Sequence, residues 1–463
     1  MVPDSSPSAD VASRRPELYA ALAAADRWLD SASTRRVPAS TDSSQVARSF
    51  AEVLPPQGQP ATDVIAELAA AVEPGLLASA SPRFFGWVIG GTLPAALAAD
   101  WLVTAWGQNA GMRGATPGVV AAEDAAARWA LAALGLPSGA GVGFVTGATM
   151  ANFTGIAAAR DTLLASMGWD LDQHGLRGAP ELPVLAGAQR HSSIDLALRY
   201  LGLGRPVEIP ADRQGRMRAD ALASALADID GPAIVCAQAG NIHSGAFDPF
   251  GELAELAHAR GGWLHVDGAF GLWAAASPEL AGLVGGLSAA DSWATDAHKT
   301  LNTPYDAGIA IVRDPTALTR AFGHHADYLL AGALPDPHET VPEMSRRARG
   351  VPVWAALRAL GRDGLAALVL GMTTAARRLA DGLAALPGVE VLNDVVYTQL
   401  TMALRDDDAT AETLARILAE GVAHPSGSRW QGRAVIRFSV SNHATDAAAI
   451  DETVAAVRRA LPS

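Results

Sequence analysis

Between residues 121 and 313 short apolar runs alternate with helix-forming stretches. The runs fall at 143–146, 183–186, 207–209, 233–237, 263–266, 292–295 and 309–312. Each is too short for a globular helix and apolar at successive positions, the pattern of a strand buried on both faces. Helical stretches between several of them, with a helix at 121–134 in front, predict an α/β domain built on a mostly parallel, covered sheet. In open sheets of this kind ligands gather at the carboxyl ends of the strands. The residues that follow each run are therefore the first candidates for chemistry.

The flanks read differently. Residues 17–29 and 60–73 form helical patterns, the second with Val64, Ile65, Leu68 and Val72 at helical spacing and with Pro55, Pro56 and Pro60 in front. This segment is too small to fold alone and is expected to pack on the next domain or on another subunit. Aromatics in Ser81-Pro82-Arg83-Phe84-Phe85-Gly86-Trp87 precede a helix at 95–106; they suit a pocket wall and ordinary core equally. Past Asp314 comes a proline-rich loop, 322–352, then a helical region, 353–386. Strand-like runs at 389–392, 398–404 and 434–440 alternate with helices at 408–420 and 444–460, an α+β pattern. The expected division is an N-terminal helical segment, 1–80, a large domain, 81–335, and a small C-terminal domain, 336–463.

Charge and cysteine content narrow the function classes. With 48 acidic against 35 basic residues the net charge is −13, and no basic stretch offsets it, which argues against nucleic acid as a partner. The single cysteine, Cys236, lies in an apolar run and excludes an intrachain disulfide framework. No uncharged apolar run reaches about 18 residues, so no membrane span is expected. Charged residues precede any apolar stretch at the N-terminus, so no signal peptide is expected and a cytoplasmic location is. His324-His325-Ala326-Asp327 has no recognised metal spacing, and no metal is expected.

The chain contains one lysine, Lys299, in Ser292-Trp293-Ala294-Thr295-Asp296-Ala297-His298-Lys299-Thr300; its other basic residues are arginines. Guanidinium and ammonium are near substitutes on a solvated surface, but only a primary amine condenses with an aldehyde. Chance in a biased composition is the competing account of this count. Three further stretches bear on it. Gly147-Ala148-Thr149 joins a strand to a helix, where free N–H groups and the helix dipole suit a phosphate. Thr146 and the absence of a Gly-Lys-Ser/Thr sequence exclude the dinucleotide and nucleotide fingerprints. Asp267 ends the run 263–266, where a carboxylate can hold a proton on a ring nitrogen, cap a helix or form an ion pair. His191 follows the run at 183–186 and suits stacking, proton transfer or a helix start. Together these parts match one ligand, pyridoxal phosphate: an anion cup, a carboxylate for the ring nitrogen, a histidine for the ring face and an amine for the aldehyde.

The segment 291–312, with His298-Lys299 and Pro304-Tyr305-Asp306-Ala307-Gly308, resembles the cofactor-lysine segment of the group II pyridoxal-phosphate decarboxylases, and the similarity runs from about Pro82 to the C-terminus. The resemblance implies the aminotransferase-like fold type I and a homodimer with active sites shared between subunits. It implies decarboxylation of an L-amino acid, an aromatic one among the candidates, through a Schiff base at Lys299. His298 would contact the phosphate side and Asp267 the pyridine nitrogen, Ala269 would pack near the ring and His191 would stack over it. Gly147, Ala148 and Thr149 match the phosphate turn, and Asn241 falls where the family usually has threonine near the cofactor. Met150 replaces a usual glutamate, Thr300 a tryptophan, and Ser441-Asn442-His443-Ala444-Thr445 the Asn-Trp-Arg-Thr pattern. The stretch matching the family's mobile tyrosine loop, about 329–350, has no tyrosine; His338 and Glu339 are its proton carriers. In related plant enzymes loss of that tyrosine accompanies aldehyde formation. Aldehyde-forming oxidation, aldol cleavage and a non-catalytic cofactor-binding relative therefore stand as alternatives.

Overall fold

The computed structural model describes residues 14–323 and 334–462. Seven strands form one sheet: β1 (Gly141–Val145), β2 (Val184–Gly187), β3 (Val207–Ile209), β4 (Ile234–Gln238), β5 (Trp263–Asp267), β6 (Ser292–Asp296) and β7 (Gly308–Val312). Their spatial order is β1-β7-β6-β5-β4-β2-β3. Strands β2 to β6 pair in parallel, whereas β7 runs antiparallel to both β6 and β1. All five residues of β4, β5, β6 and β7 are buried, as apolar runs without alternation require. The three tryptophans of this core keep their indole N–H groups bonded: Trp263 to Ser292 Oγ, Trp273 to the Asp296 carbonyl and Trp293 to the Leu287 carbonyl.

Among the described residues, twelve helices of eight or more residues surround the sheets. Ahead of the large sheet come α1 (Pro16–Ser31), α2 (Ala61–Val72), α3 (Pro94–Trp106) and α4 (Pro117–Leu134). Within it lie α5 (Ala148–Ser166), α6 (Ser192–Tyr200), α7 (Ala219–Ala227) and α8 (Phe250–His258), and after it α9 (Pro315–Phe322). The sequence pattern starts the helix after β1 at about Asn152, and α5 begins four residues earlier, at Ala148. Its first turn follows Gly147 directly, so its N-terminus sits at the end of β1. Next comes α10 (Gly350–Ala384), broken at Gly361, whose φ of 63° a residue with a side chain rarely adopts. It leads to a four-stranded antiparallel sheet of β8 (Glu390–Val391), β9 (Gln399–Ala403), β10 (Ser426–Trp430) and β11 (Arg433–Ser439), in the order β10-β11-β9-β8, with α11 (Asp407–Glu420) and α12 (Ala447–Ala460).

Strand β10 escapes the sequence pattern because its interior, Gly-Ser-Arg, is polar or small; only its ends, Ser426 and Trp430, are buried. It exists because Gln431 and Gly432, both at positive φ, make a two-residue hairpin turn onto β11. Helices α1 and α2 bury no residue within the single chain. Leu18, Leu22, Leu29, Val64 and Leu68 are all more than 40% exposed. Among the described residues no helix is long and apolar enough to cross a membrane.

One buried ion pair ties the loop before α10 to the large domain. Glu123 of α4 accepts from both terminal nitrogens of Arg346, at 2.9 and 2.8 Å, and from the Gly350 amide at 2.9 Å. Removing one member of such a pair strands the other charge away from water. Glu123→Ala is expected to destabilise the protein by about 3–5 kcal/mol, measured as a lowered midpoint in urea unfolding; a change under about 1 kcal/mol would show that the guanidinium finds water instead.

Candidate active site

Strands β1, β4, β5 and β6 point their carboxyl ends, and β7 its start, toward one cavity of about 340 Å³. The cavity is lined by Gly147, Ala148, Thr149 and Met150, by Asp267, Asp296 and Lys299, and by Trp87, Val88 and Ile242. His191, Ala269 and His298 also line it. Eight of the nine residues singled out from the sequence thus meet in one place. The exception is Asn241. Its side chain donates to the Gln189 carbonyl at 3.2 Å and accepts from the amides of His243 and Ser244, so it braces its own loop. Gly240 and Ile242 supply the cavity wall there.

Lys299 lies three residues past the end of β6. Its Nζ is 2.8 Å from Asp296 Oδ2, and its side chain is one-fifth exposed. The loop around it is held from several sides. Thr300 Oγ1 donates to the Phe270 carbonyl, and Asn302 Nδ2 donates to the carbonyls of Lys299, Thr300 and Ser441. Gly90 packs against it so closely that a Cβ would come within 2.2 Å of the Lys299 carbonyl oxygen. The segment Ser441–Thr445 thus reaches the lysine loop through Asn302, to which His443 N also donates.

Asp267 is buried and accepts three hydrogen bonds: Asn152 Nδ2 at 3.0 Å and Ser193 Oγ at 3.3 Å on Oδ2, and the Ala269 amide at 3.2 Å on Oδ1. Only donors face it, which suits an ionised carboxylate. Asn152 Oδ1 lies 2.9 Å from His265 Nε2, and His265 Nδ1 lies 2.8 Å from Ser292 Oγ. Burial pushes the His265 pKa down to about 3, so this ring is a neutral spacer that orients Asn152. Asn152 sits on the first turns of α5, close enough in sequence to the anion turn to be suspected. Nothing in its residue type pointed to Asp267, 115 positions away.

His191 caps α6 with Nδ1, which accepts from the Ser193 amide and lies 2.8 Å from Ser193 Oγ. Its Nε2 is the nitrogen left for a ligand. The ring is open to the cavity, yet surrounding protein pushes its pKa below the ordinary 6.5; Lys299 and Arg437 act the same way, and Asp267 and Asp296 oppose them. His298 Nδ1 accepts from the Ala307 amide at 3.2 Å, which leaves the proton on Nε2, 3.6 Å from Asp296 Oδ2. Its ring stacks on Tyr305 with centroids 4.1 Å apart, and burial lowers its pKa.

The residues missed from the sequence are chiefly Asp296, Asn152 and Ser193; of the aromatics at 84–87, Trp87 lines the cavity. Trp87 and Val88 hold φ of 53° and 96°, left-handed values that cost a β-branched residue of the order of 1–3 kcal/mol. The strain turns the Trp87 ring against His424, centroids 5.2 Å apart. His338, expected as a proton carrier, is buried with Nδ1 on the Gly111 carbonyl at 2.9 Å and does not line the cavity of its own chain. Residues 329–333 of its stretch, Tyr328 just ahead of it, and His324, His325 and Asp327 lie outside the described residues.

The site can be tested for pyridoxal phosphate on its own geometry. Gly147, Ala148 and Thr149 line the cavity at the start of α5, so helix-start backbone faces it. Helix-start amides, a carboxylate with only donors around it and one primary amine share the cavity; the donor set fits the cofactor.

Comparison with known proteins agrees. The model of the pyridoxal-dependent decarboxylase conserved domain matches residues 44–405. Tryptophan decarboxylase 1 of Oryza sativa subsp. japonica is 28% identical over 412 residues, covering 81% of this chain and 79% of that one. L-2,4-Diaminobutyrate decarboxylase of Rhizobium meliloti (strain 1021) is 28% identical over 454 residues, covering 94% and 89%. The crystal structure of Oryza sativa TDC with PLP and tryptamine superposes with a TM-score of 0.90 at 24% identity, over 98% of each chain. The fold is that of the fold type I decarboxylases, and the chain belongs to the pyridoxal-dependent decarboxylase family, as a carboxy-lyase that uses pyridoxal phosphate.

Proposed function

We propose that the enzyme decarboxylates an L-amino acid with an apolar, aromatic side chain and releases the amine. The observation that carries this is the cavity lining. Among the described residues that line it, Lys299 is the only lysine or arginine, so a second carboxylate on the substrate meets no guanidinium there, whereas Trp87, Val88, Ile242 and Phe270 offer apolar surface. When bound, the cofactor supplies the aldehyde that links to an amine and the ring that accepts the electron pair left as carbon dioxide departs.

The chain's own groups do the rest. The 147–149 turn would hold the phosphate through helix-start amides. Asp267, fixed by Asn152, Ser193 and the Ala269 amide, would hold the proton on the ring nitrogen. His191 would stack over the ring, with Nε2 free to hold or pass a proton. Ala269 would pack near the ring, and Lys299 would supply the amine that holds the cofactor's aldehyde. His298, turned by Ala307, would donate toward the phosphate side. Asn241 acts through the loop it braces.

An aldehyde-forming oxidase is the second reading, favoured by one observation: residues 329–350 contain no tyrosine, and His338 is buried against Gly111. A homodimer is part of the first. The apolar faces of α1 and α2, uncovered in the single chain, fit a second copy, which would also bring loops to the shared site.

With a panel of amino acids, wild-type holoenzyme is expected to release amine and carbon dioxide in equal amounts from aromatic substrates. Peroxide and aldehyde in place of amine would instead establish the oxidase. Lys299→Ala should lose both turnover and the visible absorbance of lysine-bound cofactor.

His191 adds a pH expectation. Its pKa lies below 6.5 in the folded protein, so the ring is neutral at pH 7 and gains a proton only as pH falls through that lower value. The acid limb of kcat/KM should therefore lie below pH 6.5 and shift or vanish in His191→Asn.

Leu22→Asp together with Leu68→Asp should convert a dimer to monomer by light scattering. An unchanged mass would remove α1 and α2 from the interface.

A further inference from the structure

One charged group in the cavity has no task in the reaction outlined above. Asp296 ends β6, and its side chain is 2% exposed. Oδ1 accepts the amide of Ala148, the first residue of α5, at 2.6 Å. Oδ2 lies 2.8 Å from Lys299 Nζ and 3.6 Å from His298 Nε2. A short bond to the first amide of a helix is the contact an anionic ligand makes there. The amine that must condense with an aldehyde is held by the same carboxylate.

We propose that Asp296 is a positioning residue that occupies the phosphate's end of the cavity with the chain's own charge, and so sets the affinity for the cofactor. The proposal rests on the assignment of the 147–149 turn to phosphate. One amide hydrogen cannot serve two anions, so a phosphate arriving at this turn must displace Asp296 Oδ1 or lie beside it against like-charge repulsion. While the cofactor is absent, the Asp296 carboxylate keeps both Lys299 and the helix terminus neutralised, which holds the loop and the turn in register. The surrounding geometry leaves the carboxylate little choice. Gly147 opens toward it, and Gly308 at the start of β7 packs against Gly147 so tightly that a Cβ would come within 2.5 Å of its backbone.

Asp296→Asn keeps the shape and an acceptor for the Ala148 amide but removes the charge. Apoprotein of full length, titrated with pyridoxal phosphate and followed by absorbance and tryptophan fluorescence, is expected to bind about tenfold more tightly in the variant. Inorganic phosphate, as a competitor, should gain by a similar factor. Pyridoxal, which has no phosphate, should change by less than about threefold, because the charge removed lies at the phosphate end. Asp296→Ser, shorter and uncharged, carries the same expectation should the amide variant fold poorly. Equal changes for pyridoxal phosphate and pyridoxal would mean that Asp296 acts only through Lys299, and would overturn the proposal. Weaker binding of both phosphate and cofactor in the variants would overturn it too. If the wild type shows no Lys299-dependent absorbance with pyridoxal phosphate, the cofactor assignment itself fails, and Asp296 with it.

Discussion

The site depends on a contact between two glycine backbones. Gly147 ends the turn after β1, and Gly308 begins β7; any side chain at 308 would strike the backbone of 147. Because β7 pairs with both β1 and β6, this contact sets the N-terminus of α5 beside the loop that carries Lys299. An anion cup and an amine from positions about 150 residues apart become neighbours through one strand that runs against the rest. Replacing Gly308 would push the cup away from the lysine without touching a charged group.

Behind the cavity the polar groups are satisfied in series. Asp267 leans on Asn152, Asn152 on His265, and His265 on Ser292, which also takes the Trp263 indole. Each group of this series has a partner, so the series escapes the cost of stranded donors and gains a single arrangement. A histidine at the far end kept neutral by burial is well suited to this work. It brings two bonding atoms and no charge that the interior would have to solvate.

The cavity itself holds two carboxylates and one amine. They are separated by function through their surroundings: Asp267 faces only donors, whereas Asp296 is shared among an amide, an ammonium and an imidazole. In the cavity wall, left-handed backbone at Trp87 and Val88 carries strain beside an aromatic face, the kind of local compromise that proteins keep at ligand sites. The exposed apolar helices at the N-terminus are the remaining unbalanced feature, and they lie in a segment whose composition already suggested that it cannot fold alone.

Much of this was legible in the order of residues. Seven short runs marked the seven strands of the large sheet to within one or two residues, most clearly β4 to β7, where burial on both faces leaves a local signature. The lone lysine, the small-residue turn and Asp267 declared one cofactor, because condensation, phosphate binding and ring protonation each demand a particular functional group. Strand β10 left no such mark, since its pairing comes from a hairpin turn rather than from apolar side chains. Asn241 and His338 carried plausible chemistry that the fold uses as bracing. The partnership of Asp267 with Asn152, and of Asp296 with Ala148 and Lys299, was decided only in three dimensions. A sequence records what each position can do and whether its neighbourhood is buried; which groups share a cavity follows from strand order and direction, and those are set by packing between segments far apart in the chain.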